Sequence, residues 1–260
     1  MSSSLQTTIR DLHRRRGRER RGLALAEGVR LVEEALAAAV PIRGAAVSPA
    51  LEGTARGTAL KAALVSAGVR LEEVDAPELD RLADTEHPQG IVAVVEPPRW
   101  SLDHMRPGNG AVLVLDAVQD PGNVGTMLRT AFALGAAGVV ALPGTAELGN
   151  PKVMRGSMGA LFRIPAVHAS HDEFLAWTGA AEVTLWLATA DGEPLAAASG
   201  RRRDRPHAVG IVVGNEGAGA SERLESVAAV RVGIPLAREA ESLNVGVAAG
   251  ILLYEVLRGR

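Results

Sequence analysis

Apolar residues in the first third of the chain follow the spacing of an amphipathic helix and then of short strands. Over residues 23–39 (LALAEGVRLVEEALAAA) they place Leu31, Val32, Ala35 and Leu36 on one face, which predicts a helix. The pattern further predicts a helical stretch near 58–67 and strands near 42–47, 69–74 and 91–96. A small mixed α/β domain is therefore expected at the N-terminus.

The hydrophobic pattern is interrupted at residues 97–110. This segment, PPRWSLDHMRPGNG, contains three prolines and two glycines, which is typical of a linker. We therefore predict an N-terminal domain over 1–98, a linker over 99–110 and a C-terminal domain over 111–260.

Beyond the linker, continuous apolar strands alternate with helices. Strands of this kind are buried on both faces, so the alternation predicts an α/β fold with a parallel sheet between two layers of helices. The predicted strands are 111–116, 138–142, 183–189 and 209–214, and the predicted helices are 124–136 and 242–258. Ser242 is available to cap the last helix.

Composition excludes several kinds of site. The chain has no cysteine, which rules out a disulfide framework, a thiolate zinc site and a cysteine nucleophile. The six histidines include one close pair, His168 and His171, which we interpret as surface residues, so no metal site is expected. No signal peptide or apolar run long enough for a membrane span is recognised, and a cytoplasmic protein is the expectation.

Charge is concentrated at the start of the chain. Residues 1–22 contain seven arginines and two acids, whereas the whole chain has a net charge of −2. Such a segment is either a basic arm that contacts RNA phosphates or the solvated face of a helix. The candidate RNA-binding residues are Arg10, Arg14, Arg15, Arg16 and Arg18.

Three polar, glycine- or proline-containing segments follow predicted strands of the C-terminal half. They are DAVQDPGNVGTMLR (116–129), GNEGAGAS (214–221) and IPLAREAESLN (234–244). Because ligands bind beyond the carboxyl ends of parallel strands, these segments predict the binding site. None of them matches the dinucleotide fingerprint, a Walker-type phosphate loop or the nucleophile elbow of a hydrolase.

With these segments the second half resembles the SpoU (TrmH-type) RNA ribose methyltransferases of the SPOUT superfamily. LVLDAVQDPGNVGTMLRTAFALGAAGVV is similar to the family's first motif, IVVGNEGAGAS to its second and IPLAREAESLNVGVAAGILLYE to its third. NPKVMRGSMGALFRIP (150–165) is similar to the family's connecting segment. EGVRLVEEAL (27–36) and TEHPQGIVAV (85–94) resemble the substrate-binding domain that is often fused to this family.

The resemblance implies a C-terminal parallel-sheet α/β trefoil-knot (SPOUT) domain, preceded by a small α/β ribosomal-protein-like RNA-binding domain. The knot would be formed by threading the last helix segment through a loop, which ordinary topology rules do not predict. The resemblance also implies a homodimer that uses S-adenosyl-L-methionine, with the cofactor pocket at the knot and next to the partner subunit.

The same resemblance implies the site residues. The cofactor-binding candidates are Gly214, Asn215, Glu216, Ile234, Leu236 and Leu243. The catalytic candidates are Asn123, Arg129, Glu216, Ser242 and Asn244. The residues alone leave other interpretations open: a turn at Gly214, a helix cap at Ser242 or Asn244, and an ion pair between Arg129 and Glu216.

We therefore expect methylation of a ribose 2′-hydroxyl in RNA, without a metal and without a membrane partner. The two-domain layout favours ribosomal RNA over transfer RNA as the substrate. The alternatives are a tRNA 2′-O-methyltransferase, a base methyltransferase of the same superfamily, and a catalytically silent RNA-binding or ribosome-assembly protein of the same fold.

Overall fold

The computed structural model describes residues 4–204, 207–237 and 242–258. Contacts divide the chain into two compact units. The first unit comprises Met1–Arg99 and Gly149–Arg163, and the second comprises Trp100–Leu148 and Ile164–Arg260. The segment 149–163, which the sequence places in the C-terminal domain, thus lies in the first unit.

The elements of the described residues alternate along the chain. The helices are α1 (Leu5–Leu12), α2 (Arg15–Arg21), α3 (Val29–Ala37), α4 (Ala55–Ser66), α5 (Ala76–Leu82), α6 (Pro121–Leu134), α7 (Pro151–Ser157), α8 (His171–Ala180), α9 (Leu195–Asp204), α10 (Glu222–Glu225) and α11 (Val245–Leu257). The strands are β1 (Ala24–Glu27), β2 (Ile42–Val47), β3 (Leu71–Glu73), β4 (Ile91–Val95), β5 (Ala111–Leu115), β6 (Gly138–Ala141), β7 (Ala166–His168), β8 (Val183–Pro194), β9 (Ala208–Val213) and β10 (Val230–Gly233). Short 3₁₀ helices occur at Pro49–Gly53, Leu102–His104 and Ala160–Phe162.

The strands of the first unit form a mixed sheet in the order β1-β4-β2-β3. β4 runs antiparallel to both of its neighbours, and β2 and β3 are parallel. Helix α1 buries Leu5, Ile9 and Leu12 in the core of this unit. The N-terminal basic segment is therefore folded into two helices, one of which contributes to the core.

The prediction of one helix over residues 23–39 is wrong in its first part. Residues 24–27 form β1, in which all four side chains are buried, and the helix starts only at Val29. Gly28 separates the two elements with a φ of 92°, a conformation that glycine adopts without steric cost. Burial on both faces of a strand removes the polar positions that would have distinguished it from a buried helix.

The sheet of the second unit is parallel throughout, in the order β10-β8-β9-β5-β6-β7 among the described residues. Every residue of the adjacent strands β5 and β9 is buried. The predicted parallel α/β fold is confirmed, and the four strands predicted from apolar runs are present. The edge strands β7 and β10, of three and four residues, are too short to give such a run.

Two helix starts differ from the sequence prediction. Helix α6 begins at Pro121, because Asp120 accepts a hydrogen bond from the backbone N–H of Asn123 at 2.7 Å. Helix α11 begins at Val245 and is capped by Asn244, whose Oδ1 accepts from the N–H groups of Gly246 and Val247. The prediction that Ser242 caps this helix is wrong, because the helix starts two residues too late for it.

The knot predicted from the resemblance requires the last helix segment to pass through a loop. Of the chain that leads into α11, residues 238–241 lie outside the described residues. The threading therefore stays a prediction.

Candidate active site

A cavity of about 690 Å³ lies where β8, β9 and β10 of the second unit end. Among the described residues, its walls come mainly from three stretches of chain, 187–191, 213–220 and 231–252, and Glu225 also lines it. All six cofactor-binding candidates line it: Gly214, Asn215, Glu216, Ile234, Leu236 and Leu243. The catalytic candidates Ser242 and Asn244 line it as well. The sequence-predicted segments after β9 and β10 therefore meet in one place.

The loop after β9 is held by its own hydrogen bonds. Asn215 and Gly219 exchange two backbone hydrogen bonds of 2.8 and 3.0 Å, and the Asn215 side chain accepts from the N–H groups of Gly217 and Ala218. A Cβ on Gly214 would lie 2.3 Å from the backbone nitrogen of Ala220, so only glycine fits at the start of this loop. The predicted turn role of Gly214 and its place in the cavity wall thus coincide.

The far end of the same loop is attached to β5 by a buried carboxylate. Asp116 is 1% exposed, and its Oδ2 accepts from the Ser221 N–H at 2.7 Å. Its other oxygen lies 3.3 Å from Nε2 of His171. The Asn215 side chain adds a second tie to this region by donating to the Ala117 carbonyl at 3.0 Å. These bonds hold the part of the cavity wall that the loop after β9 forms.

Three predicted site residues form a chain of amide hydrogen bonds at the edge of the cavity. Nδ2 of Asn123 donates to Oε1 of Glu216 at 2.9 Å, and Oδ1 of Asn123 accepts from Nδ2 of Asn244 at 3.0 Å. Asn123 does not line the cavity itself, but both of its partners do. It therefore connects helix α6 to the two loops that form the wall, a role that sequence alone does not reveal.

Arg129 is the predicted site residue that the structure leaves apart. It lies on α6, is exposed, and has no side-chain hydrogen bond or ion pair with any described residue. It does not line the cavity, and Glu216 accepts from Asn123 in place of the ion pair considered from the sequence. The guanidinium of Arg129 is thus available to a group from outside this chain.

The five candidate RNA-binding arginines lie in different surroundings. Arg10 is paired with Glu78, and Arg15 with Glu19 at 2.6 Å. Arg14 and Arg16 are exposed and have no side-chain partner among the described residues.

Arg18 differs from the other four because it is buried. Its side chain donates to the carbonyls of Leu12 at 2.7 Å and His13 at 2.9 Å, and the residue is 6% exposed. These bonds close the turn between α1 and α2, so the guanidinium of Arg18 is used within the fold.

One wall of the cavity was not predicted from the sequence. Residues 187–191 begin at the end of the apolar run VTLWL. The carboxylate of Asp191 accepts a hydrogen bond from the Thr189 hydroxyl and another, of 3.3 Å, from Arg231. The hydrogen bond from Thr189, followed by the one from Arg231, lowers the pKa of Asp191 below its usual value. The signal was the polar, glycine-containing stretch TADG at the end of a predicted strand, as in the three segments identified from the sequence.

The described part of the chain contains neither a metal-binding cluster nor a membrane-spanning helix. It holds no cluster of three or more His, Asp or Glu side chains suited to a metal ion. None of its helices combines the length and the apolar character that crossing a bilayer requires.

The sequence matches two family models, one for each half of the chain. Residues 110–254 match the SpoU rRNA Methylase family, and residues 7–93 match the MRM3-like substrate binding domain. The first match covers more than half of the chain and contains the whole cavity wall. The chain belongs to the SpoU rRNA methylase family, and the resemblance seen in the sequence motifs is confirmed.

Similar proteins share the full two-part layout. A Bacillus subtilis protein named 23S rRNA (guanosine(2553)-2′-O)-methyltransferase RlmP is 35% identical over 249 residues, which cover 95% of this chain and 93% of the relative. The SpoU methyltransferase AviRb from Streptomyces viridochromogenes, solved in complex with AdoMet, has a TM-score of 0.84 at 29% identity and covers 99% of this chain and 98% of its own. An AdoMet-bound rRNA methyltransferase from Sinorhizobium meliloti has a TM-score of 0.82 at 30% identity, with coverages of 98% and 96%.

Proposed function

We propose that this chain methylates a ribose 2′-hydroxyl of large-subunit ribosomal RNA with S-adenosyl-L-methionine as the methyl donor. The observation that carries the proposal is the single cavity in which all six cofactor-binding candidates meet, beside the amide chain of Asn123, Glu216 and Asn244. The relatives named 23S rRNA 2′-O-methyltransferases support this substrate.

The residues of the cavity fit the methyl donor. Its volume of about 690 Å³ is within the usual range of small-molecule sites. Leu236 and Leu243 are each 37% exposed and give apolar surface for an adenine ring, while the loop that starts at Gly214 gives backbone groups for hydrogen bonds. S-adenosyl-L-methionine supplies a methyl group already activated by a sulfonium. The protein therefore has mainly to position the hydroxyl and handle its proton.

The site residues divide into a positioning set and a proton-handling residue. Asn123, Glu216 and Asn244 hold the wall on which the substrate ribose would be placed. A guanidinium remains protonated at neutral pH and is a poor base. We therefore assign to Arg129 a charge-assisted hydrogen bond that lowers the pKa of the 2′-hydroxyl or positions an RNA phosphate that accepts the proton.

We further propose that the chain acts as a homodimer in the cytoplasm, through the exposed face of α6 and α11. Val247, Ile251 and Tyr254 are 53%, 39% and 58% exposed and follow each other at helical spacing on α11. They line a groove of about 470 Å³ together with Thr126 and Thr130 of α6. Such a continuous, partly apolar face fits a second copy of itself across a two-fold axis.

Pairing through this face gives Arg129 a place in the reaction. Arg129 is on α6, next in sequence to Thr130 of the groove, and it does not line the cavity of its own chain. In the proposed dimer each Arg129 serves the cavity of the partner subunit. The site would then be complete only in the dimer.

Subunit mixing tests this arrangement. Arg129→Ala and Asn244→Ala chains are each expected to be nearly inactive as homodimers. If Arg129 acts across the interface, their heterodimer has one intact site. An equal mixture should then recover about a quarter of wild-type activity, since half of the dimers at random pairing are heterodimers with one of two sites intact. No recovery in a mixture with demonstrated subunit exchange would place Arg129 in its own site.

Mapping of 2′-O-methyl groups tests the substrate. Ribosomal and transfer RNA from cells with and without the gene should differ at one ribose of the large-subunit RNA. The named relatives act on guanosine, adenosine or uridine, so the base is left open by the family. A missing methyl group in transfer RNA would establish that alternative, a base methyl group would establish the base methyltransferase, and unchanged RNA would favour the catalytically silent protein.

A further inference from the structure

A second large cavity lies in the first unit, and none of the five arginines predicted from the sequence to bind RNA lines it. Its volume is about 630 Å³, and it opens between the start of α3, the 3₁₀ helix at Pro49–Gly53, the turn 85–89 and helix α7. This volume is within the range of sites that hold small molecules or single nucleotides. Most of its lining residues lie within residues 7–93, the segment that matches the MRM3-like substrate binding domain.

The cavity is built on a buried carboxylate. Glu27, which is 7% exposed, accepts hydrogen bonds from the N–H groups of Asp84 and Thr85 and from the Thr85 hydroxyl. The guanidinium of Arg155 lies 3.3 Å from the carboxylate of Glu27 and 2.7 Å from the carboxylate of Asp84. The turn after α5 is therefore tied both to β1 and to α7.

The same turn is also held at its other end. Oε1 of Gln89 accepts from the Val29 N–H at 3.1 Å, which fixes the amide at the mouth of α3. Gly90 has a φ of 82°, and a Cβ there would lie 2.2 Å from the backbone nitrogen of Leu51. The turn 85–89 is thus held at both ends by contacts within the first unit.

The charges around this cavity leave one cation without a partner. Three arginines line it, of which Arg56 is bound by both oxygens of Glu33 at 2.9 Å and Arg155 is bound by Glu27 and Asp84. Arg30 is exposed and has no hydrogen bond or ion pair with a described residue. An arginine without a partner in its own chain, at the rim of a cavity, is suited to a phosphate group.

The other lining groups are suited to a base. Val29 and Met158 give apolar surface, His87 gives an exposed ring, and the amide nitrogen of Gln89 has no partner among the described residues. Proteins that read RNA sequence do so mostly on unstacked bases, which they hold by stacking and by hydrogen bonds to base edges. One cavity thus brings together the Arg30 cation, the Gln89 amide, the His87 ring and an apolar wall.

We propose that this cavity binds one unstacked nucleotide of the substrate RNA other than the one that is methylated. Arg30 contacts its phosphate, and the base enters the cavity beside Gln89 and His87. The cavity would then select the RNA segment to be methylated. This inference rests on the proposed function in that the ligand is a part of the same RNA.

The experiment separates entry of the base from attraction of the phosphate. Ala50→Phe fills the cavity without changing charge, because Ala50 is an exposed lining residue. Ala63→Phe is its matched control on the exposed side of α4. Arg30→Ala removes the rim cation, and Arg70→Ala is its control, because Arg70 is exposed and lies 3.8 Å from Glu72. Binding of the full chain to a large-subunit rRNA fragment is measured over a range of salt concentrations.

Filling the cavity should weaken RNA binding about fivefold or more, since the stacking of one base contributes at least about that factor, and should leave the salt dependence unchanged. Arg30→Ala should lower the slope of log affinity against log salt by roughly 0.7–0.9. Both controls should bind like the wild type, and all four variants should keep the melting temperature and the S-adenosyl-L-methionine affinity of the wild type.

Equal RNA affinity of Ala50→Phe and Ala63→Phe would overturn the proposal, even if Arg30→Ala changed the slope, because the cavity would then be empty in the complex. If Ala50→Phe methylates RNA at the same rate as the wild type, only this inference is refuted. A wild-type chain that neither binds nor methylates any rRNA fragment refutes the proposed function together with it.

Discussion

Removal of the Asn123 side chain tests how the cavity is held together. Asn123→Ala deletes the hydrogen bonds to Glu216 and Asn244, of 2.9 and 3.0 Å, and so removes these side-chain links between α6 and both loops of the wall. A neutral hydrogen bond contributes about 1 kcal/mol net to the free energy of unfolding. A hydrogen bond to a carboxylate contributes about 1.5–3 kcal/mol when it is shielded from water. Glu216 is exposed, so water replaces part of that bond, and a combined loss of about 2 kcal/mol is expected.

Part of this loss should appear in ligand binding, because Glu216 and Asn244 line the cavity. We expect S-adenosyl-L-methionine to bind about tenfold more weakly, which corresponds to about 1.4 kcal/mol, and the remainder to appear as a lower melting temperature. Titration calorimetry and thermal unfolding of the same preparations measure the two parts. Glu222→Ala, at an exposed acidic residue that does not line the cavity, is the control for loss of a surface carboxylate.

A double-mutant cycle isolates the bond itself. Asn123→Ala, Glu216→Ala and the double variant should show a coupling energy of about 1 kcal/mol in cofactor binding. Asn123→Asp places a second carboxylate against Glu216, and like charges at this distance raise the pKa of the pair. Its binding should therefore improve as the pH falls and one proton is shared. Single effects that add to within about 0.3–0.5 kcal/mol would refute the proposed link between α6 and the loop.

Three further outcomes are expected. Arg129→Ala should lower single-turnover methylation at saturating RNA by about 10²–10⁴ and leave S-adenosyl-L-methionine affinity unchanged; near-native turnover of Arg129→Lys would show that a point charge suffices. Replacing Arg14 and Arg16 by Ala should reduce the salt slope of RNA binding by up to about 1.4–1.8, at roughly 0.7–0.9 for each phosphate contact, and an unchanged slope would make them merely solvated residues. Glu27→Gln should lower the free energy of unfolding by about 2 kcal/mol, because charge-assisted hydrogen bonds in a buried site are replaced by neutral ones. The control Glu96→Gln, at a half-exposed ion pair with Arg43, should lower it by less than about 1 kcal/mol. Equal effects of the two substitutions in denaturant titration would contradict this reasoning.

The sequence predicted the central part of the second unit well, because buried parallel strands leave a clear apolar run. It predicted the segments after β9 and β10 as parts of one site, since the carboxyl ends of parallel strands meet at one edge of the sheet. It did not predict residues 187–191 as the third wall, because β8 continues past the point where its apolar run ends.

Local capping and long-range pairing were less predictable. Ser242 and Asn244 are both good capping residues, and only the backbone path shows that Asn244 takes that position. The bond from Asn123 to Glu216 joins residues 93 positions apart, and no local pattern carries that information. The burial of Arg18 has the same origin, because a run of arginines looks alike in sequence whether one of them turns inward or not.

The path of the chain between the two units has a consequence for how the protein is made. The first unit includes residues 149–163, and the buried carboxylate of Glu27 finds Arg155 only in that segment. A ribosome that has released only the first hundred residues has therefore delivered the four-stranded sheet with an acidic group still lacking its cation. Strands β5 and β6 of the second unit emerge before that partner does. The ion pair between Glu27 and Arg155 can thus form only after the first part of the C-terminal half has been synthesised.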